Sequence, residues 1–444
     1  MNGSRWMRLL AALLVLGVAT AACGDGEPAV EPDEPDPEVV DEPAEDDEPE
    51  VVDDDEEIEV DTAPRGDGTL RIGYLLPETG TLAFYGPPTI TAVELAVEDI
   101  NEAGGVLGNP VELFSADEAG DAAVASTSVD RLLADGVDAI IGAVASGMSL
   151  AVIDKIIGAG VVQCSPANTS PTFTTYDDQG FYHRTAPTDA LQGPVLAETM
   201  LGAGHARIAL MARADDYGQG LADETEAALE EAGAEVVAKV IYDPEAATYS
   251  AEVEQVAGAG PDAVALISFD EAAQILQELI EAGLGPADFP VFGAESLRST
   301  ELPLDVDPAD ETVLDGLQGT APISRADESF VERLEEFNPD LTDFLFAGEA
   351  YDCAVIIALA ATAAESDDPG VFVEEMIDVT RDGTDCTSYA ECAELLEAGE
   401  DINYNGASGP IEFTDVGEPE RGTYEIWEFS GGEIVTVGEV ESTF

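Results

Sequence analysis

From Leu70 onward, short apolar runs alternate with amphipathic stretches, and that alternation leaves few folds open to the chain. LRIGYLL (70–76) leads through a turn into helical spacing in TAVELAVEDINEAGG (91–105). VELFSAD follows, then a helix near 122–134, VDAIIGAV (137–144), a helix near 150–157 and VVQCSPA. A parallel strand is covered on both faces, so it reads as an unbroken apolar run, and a crossover helix must return the chain to the same edge. The rhythm therefore predicts βαβ units and a parallel sheet. Gly104, Gly105, Gly158 and Gly160 stand where the helices should stop.

The rhythm restarts after RTAPTD (184–189). Helices are expected at 190–203, 220–232, 250–258 and 271–283, between strands ARIALMA, AEVVAKVIY, DAVALISF and PVFGAES. Beyond about residue 320 come helical stretches at 328–337, 349–365 and 370–380. The strand signals GPIEFTD, TYEIWEF and EIVTVGEV follow, the last two around Gly431 and Gly432. No repeat of solenoid period is present. Two α/β lobes, with the chain returning late to each, is the simplest reading.

Charge then excludes whole classes of partner. The 444 residues hold 95 Asp and Glu against 15 Lys and Arg, a formal net charge of −80. Ordinary nucleic-acid binding needs a basic patch that displaces counterions, and attachment to anionic lipid needs the same sign. The first 22 residues read as a signal peptide: Arg5 and Arg8, then the apolar run Leu9 to Val18, too short to span a bilayer. Ala19 to Cys23 resembles a lipobox, with Thr20 where such a box usually carries leucine. On that reading Cys23 is acylated; the alternative is an ordinary secretory signal cut near Ala22. Residues 24–66 hold 21 acidic residues, seven prolines and one basic residue, Arg65. Charge repulsion and proline extend such a segment, at ~3.1 Å per residue up to about 130 Å, and make it a solvated tether. The remaining residues, 67–444, keep a net charge near −62 with two lysines, Lys155 and Lys239. Such a surface suits a saline habitat, where counterions screen self-repulsion.

Four stretches carry a family resemblance: IGYLLPETGTLAFYG with AVELAVEDINEAGGVLGNPVEL; SPANTSPTF; RTAPTDALQGP; and DDYGQGLADETEAALEEAGAEVV. In this order they resemble the branched-chain amino acid (Leu/Ile/Val) binding proteins of ABC importers, and YDCAVIIALAA and INYNGASGPIEF match more loosely. The resemblance implies an α/β fold of two Rossmann-like lobes with parallel sheets, the type I periplasmic-binding or Venus-flytrap arrangement. Three crossovers fall near 186–190, 316–323 and 407–411. Lobe I is then 67–188 with 322–409, and lobe II is 189–321 with 410–444. Residues 1–22 are the signal, and 23–66 are the lipidated cysteine and tether.

A free amino acid carries a carboxylate and an ammonium, and a closing cleft must desolvate both. By resemblance, the Ser146 hydroxyl and nearby amides hold the carboxylate; a helix N-cap would equally use a serine there. Thr169 also holds the carboxylate and the Ala167 carbonyl accepts from the ammonium, against a plain Pro/Asn turn. Tyr217 closes over the ligand. Glu295 pairs with the ammonium at a strand end, where ligands of open α/β sheets bind. Asp189 matches a site position, or caps a helix beginning at Ala190. Tyr85 and Phe269 form an aromatic wall or pack in the core.

Cys386 and Cys392, six apart in an exported chain, predict a local disulfide. Cys164 and Cys353 sit in apolar contexts and read as buried free thiols unless they prove adjacent. No GxSxG, HExxH or Walker motif is present, and His183 and His205 belong to no Ser/His/Asp array. No catalysis, cofactor or metal is expected. The function implied is capture of a hydrophobic or branched-chain amino acid by a monomeric, lipid-anchored, extracytoplasmic protein that serves ABC permease subunits. Alternatives are an amide, urea or aromatic acid as ligand, or a signalling receptor ectodomain.

The acidity generates a first prediction. The melting temperature should keep rising with NaCl well beyond ~0.1 M, where simple screening does most of its work. A flat salt dependence in differential scanning calorimetry would mean that the acidic groups are already spaced or paired.

Overall fold

The computed structural model describes Val60, residues 65–323 and residues 328–444. The expected leader, Cys23 and nearly all of the acidic tether lie outside the described residues.

Five parallel strands make the first sheet: β1 (Arg71–Leu76), β2 (Glu112–Asp117), β3 (Ala139–Gly142), β4 (Val162–Ser165) and β5 (Tyr182–Arg184). Their spatial order is β2-β1-β3-β4-β5. Helices α1 (Gly86–Glu102), α2 (Ala122–Asp135) and α3 (Ser146–Gly158) return the chain. All of β3 and β4 is buried, which is why these strands are apolar runs without alternation.

Residues 185–188 carry the chain into a second sheet. It contains α4 (Asp189–Gly202), β6 (Arg207–Arg213), α5 (Asp216–Glu231), β7 (Glu235–Tyr242), α6 (Ser250–Ala259), β8 (Ala263–Ile267), α7 (Ala272–Glu281), β9 (Val291–Gly293), α8 (Leu302–Val306) and β10 (Gln318–Pro322). The chain then goes back to the first lobe. There α9 (Glu328–Phe337) and α10 (Ala347–Ala363) pack on α1. Every residue of α10 from Ala347 to Ala361 is buried, as a helix apolar on all sides must be. Next come α11 (Pro369–Phe372) and a small sheet of β11 (Thr384–Cys386), β12 (Ile402–Gly406) and β13 (Gly409–Pro410), with α12 (Tyr389–Glu397) between β11 and β12. Finally β14 (Arg421–Ser430) and β15 (Glu433–Thr443) complete the second sheet, in the order β15-β14-β10-β9-β8-β6-β7. Strands β6 to β10 are parallel, whereas β14 and β15 are an antiparallel hairpin on its edge. Ile411 and Phe413 pack in the core of the first lobe, so the chain joins the second sheet at Arg421, eleven residues beyond the boundary at 410.

Two local expectations are corrected. The helix at 370–380 stops at Phe372, and a 3-10 turn (Val373–Glu375) follows. Residues 379 and 380 instead meet β12: Tyr404 N–H donates to the Val379 carbonyl at 2.9 Å, and Thr380 bridges to Asn403. Cys164 and Cys353 are not free thiols. β4 packs on α10, which brings their Cα atoms to 5.8 Å, and they form a disulfide. Cys386 and Cys392 form the second disulfide.

The two disulfides close loops of very different length, with sequence separations of 189 and 6. The chain-entropy relation gives ~5 kcal/mol for the first and ~2 kcal/mol for the second. Replacing both cysteines of each pair with alanine should therefore lower the unfolding free energy about twice as much for Cys164/Cys353, by urea titration. Equal losses would refute the entropic ordering.

Candidate ligand-binding site

Parallel strands end on one edge of their sheet, and the candidate residues follow those ends. Tyr85 lies after β1 in a 3-10 turn (Ala83–Tyr85), Ser146 opens α3 after β3, and Ala167 is two residues past β4. From the other sheet, Tyr217 lies in the first turn of α5 after β6, Phe269 is two residues past β8 and Glu295 two past β9. All six line one narrow cavity, together with Leu82, Val144, Ala145, Ser296 and Phe346. The edges of the two sheets therefore meet across it.

Contacts across the cavity are direct. The Tyr85 hydroxyl donates to the Glu295 carbonyl at 3.2 Å, and its ring meets Phe346 edge-on at 5.5 Å. Tyr217 stacks on Phe269 at 5.2 Å and 13°, and the Arg213 guanidinium covers the Phe269 ring at 3.6 Å. The Tyr217 hydroxyl is 3.2 Å from Ser296 Oγ. The Glu295 carboxylate is 5% exposed, and its Oε2 accepts from Gln192 Nε2 at 2.6 Å. Burial raises its pKa, and the bonds from Gln192 and Tyr217 pull it back down.

Thr169 and Asp189 are not among the residues lining the cavity. They turn to each other: Thr169 Oγ1 donates to Asp189 Oδ2 at 3.1 Å, and the Asp189 N–H donates to the Thr169 carbonyl at 2.7 Å. Asp189 does not cap its helix; Thr188 does, accepting from Ala190 N–H. Burial first, then the nearby Glu295 charge, pushes the Asp189 carboxyl well above the usual carboxylate range. Its Oδ1 is buried without a hydrogen-bond partner among the described residues. Ser146 is likewise not an N-cap. Ala145 holds that position, and Ser146 Oγ accepts from Ser170 N–H at 3.4 Å.

The turn that presents Ser146 rests on a residue the sequence reading missed. Glu118, fully buried, accepts from Val144 N–H at 2.7 Å and Ala145 N–H at 3.4 Å. Gly142 before it has φ +121°, and a Cβ there would lie 2.1 Å from the Leu75 carbonyl oxygen, so only glycine fits. Phe346 was also missed. It precedes α10 in the left-handed region at φ +61°, which no pattern of apolar spacing announces.

Two lobes whose strand ends converge on one small cavity define a two-lobed solute-binding protein. The chain belongs to the periplasmic binding protein family, whose profile matches residues 69–419. Leu/Ile/Val-binding protein homolog 3 of Brucella melitensis is 31% identical over 237 residues, covering 52% of this chain and 62% of that protein, so the match spans less than two thirds of that relative. The chemotactic signal transduction system substrate-binding protein BasB of Halobacterium salinarum is 29% identical over 381 residues, 82% of this chain and 88% of that one. The substrate-binding protein LivJ of Streptococcus pneumoniae, solved in complex with isoleucine, superposes with a TM-score of 0.69. It covers 84% of this chain and 99% of its own at 21% identity, which shows the shared fold.

Burial pushes the Glu118 carboxyl up to about 8 from its ordinary 4.5. Between those values the folded state keeps a proton that the unfolded state has lost. Its stabilising share is therefore full below about pH 4.5 and declines as pH rises through 8, by ~1.4 kcal/mol per pH unit inside the window. Urea unfolding at pH 5 to 8 should show a shallower decline for Glu118→Gln than for wild type; parallel curves would remove Glu118 as the source.

Proposed function

We propose that the protein captures a free hydrophobic or branched-chain amino acid in this cavity and delivers it to the permease subunits of an ABC importer. The lining carries the reading: one carboxylate, Glu295, no arginine or lysine, and a wall of Leu82, Val144, Phe269 and Phe346. A desolvated ammonium needs an anionic partner, which Glu295 supplies with the Ala167 carbonyl as a further acceptor. The ligand carboxylate takes the Ser146 hydroxyl and the unpaired N–H groups of the first turn of α3. Tyr85 and Tyr217 cover the ligand, while Thr169 and Asp189 act from behind the lining. An aromatic acid or a urea would leave Glu295 buried without a counter-charge. In this reading the protein works outside the cytoplasm as a monomer, tethered through Cys23.

A second reading is favoured by the Halobacterium salinarum relative, which matches over most of both chains. The same capture would then report to a chemotactic signalling system rather than a permease.

A thermal-shift screen of the twenty amino acids, amides and aromatic acids tests the ligand class. A ligand at 100 times its Kd stabilises by about 2.7 kcal/mol. With the best amino acid, Glu295→Gln should bind roughly 30-fold more weakly or worse by calorimetry, since truncating a buried charge pair costs about 2–5 kcal/mol. The exposed Glu301→Gln should bind as wild type does. Wild-type affinity in Glu295→Gln would transfer the ammonium to Asp189 or replace the amino acid with a ligand that has none.

A further inference from the structure

We propose that Arg184 and Glu418 form a buried clamp through which the third crossing between the lobes holds the 168–170 loop, making both positioning residues for ligand capture. The proposal rests on the assignment of Ala167 and Ser146 to the ligand site. Arg184 is 1% exposed and Glu418 3% exposed. Arg184 ends β5 beside the first crossing, whereas Glu418 lies in the third, between β13 and β14. Arg184 Nη1 donates to the carbonyls of Asn168 at 3.2 Å and Ser170 at 2.8 Å. Its Nε donates to Glu418 Oε2 at 3.0 Å, and its Nη2 pairs with the same oxygen.

A burial this complete for two charges is costly unless every partner is in place. Thr174 Oγ1 closes the set, donating to Glu418 at 3.0 Å. The main chain is joined too: Arg184 N–H donates to the Gly417 carbonyl at 3.0 Å. Gly417 sits at φ +72°, where a Cβ would lie 2.6 Å from His183 Cδ2, so the crossing approaches as closely as a glycine allows. From the loop, Asn168 Nδ2 donates to the Val144 carbonyl at 2.9 Å and Ser170 N–H to Ser146 Oγ. A displacement of the third crossing therefore reaches both ligand-facing turns through one guanidinium. Movement of the lobes about the crossings and the geometry of the ligand loop are coupled.

Hydrogen exchange of the full chain without ligand reads the clamp independently of what binds. Glu418→Gln should speed exchange of the 167–170 amides by about tenfold, the factor that ~1.4 kcal/mol represents, and leave the strands of the second sheet unchanged. Thr174→Val, a milder cut to the same clamp, should do so to a smaller extent and serves if Glu418→Gln fails to fold. With L-isoleucine as probe, calorimetry should show weaker binding by the clamp variants than by wild type. Val256→Ala, which trims a buried side chain of α6 in the core of the second lobe, should lower the melting temperature without changing either readout. Unchanged loop exchange in a folded clamp variant overturns the clamp; failure of wild type to bind any amino acid overturns the ligand reading alone.

Discussion

The geometry of parallel strands is the constraint on which the rest depends. Each strand must be re-entered from the same end, so the loops after β1, β3, β4, β6, β8 and β9 all gather at strand C-termini. Six residues from those loops, separated by up to 210 positions, line a single cavity for this reason. Two sheets supply one edge each, and three crossings keep those edges face to face.

What the cavity can bind follows from how its charges are satisfied. Burial of an unpaired carboxylate is unfavourable, and this protein manages several in different ways. Glu118 takes backbone N–H groups and is pushed toward its neutral form. Asp189 leans on Thr169 and is pushed up by Glu295. Glu418 is matched by Arg184 within hydrogen-bonding distance. Glu295 is the one that faces the cavity, held by a neutral amide, and so retains the capacity to meet a cation. For the proposed amino acid, the opposite pole would lie at the N-terminal turn of α3, whose backbone N–H groups favour an anion without a cationic side chain.

Stability and function share the same links. The Cys164–Cys353 disulfide joins β4 to α10 across a separation of 189 residues, and the loop it closes includes strands β6 to β10 of the other lobe. Unfolding either lobe therefore leaves the chain entropy of both constrained. The Arg184–Glu418 pair links a residue inside that loop to one outside it and fastens the last crossing to the first sheet.

The sequence by itself determined the alternation of strands and helices and the division into two α/β lobes, while the six residues that line the cavity were named only through the family resemblance. These are local: apolar runs, glycine stops and motifs such as SPANTS sit within one strand and its following turn. The breaks came where a local pattern competed with a distant partner. Residues 379 and 380 left their helix to meet β12, and Cys164 found Cys353 only because α10 packs over β4. Thr169 and Asp189 looked like ligand contacts individually, yet their own hydrogen bond turns them to each other. The roles of Phe346, Glu118 and the Arg184–Glu418 pair carry no local sequence signal, since they depend on neighbours far away along the chain. Tertiary structure alone decided those, because burial and pairing of a polar group are settled by what the rest of the fold brings against it.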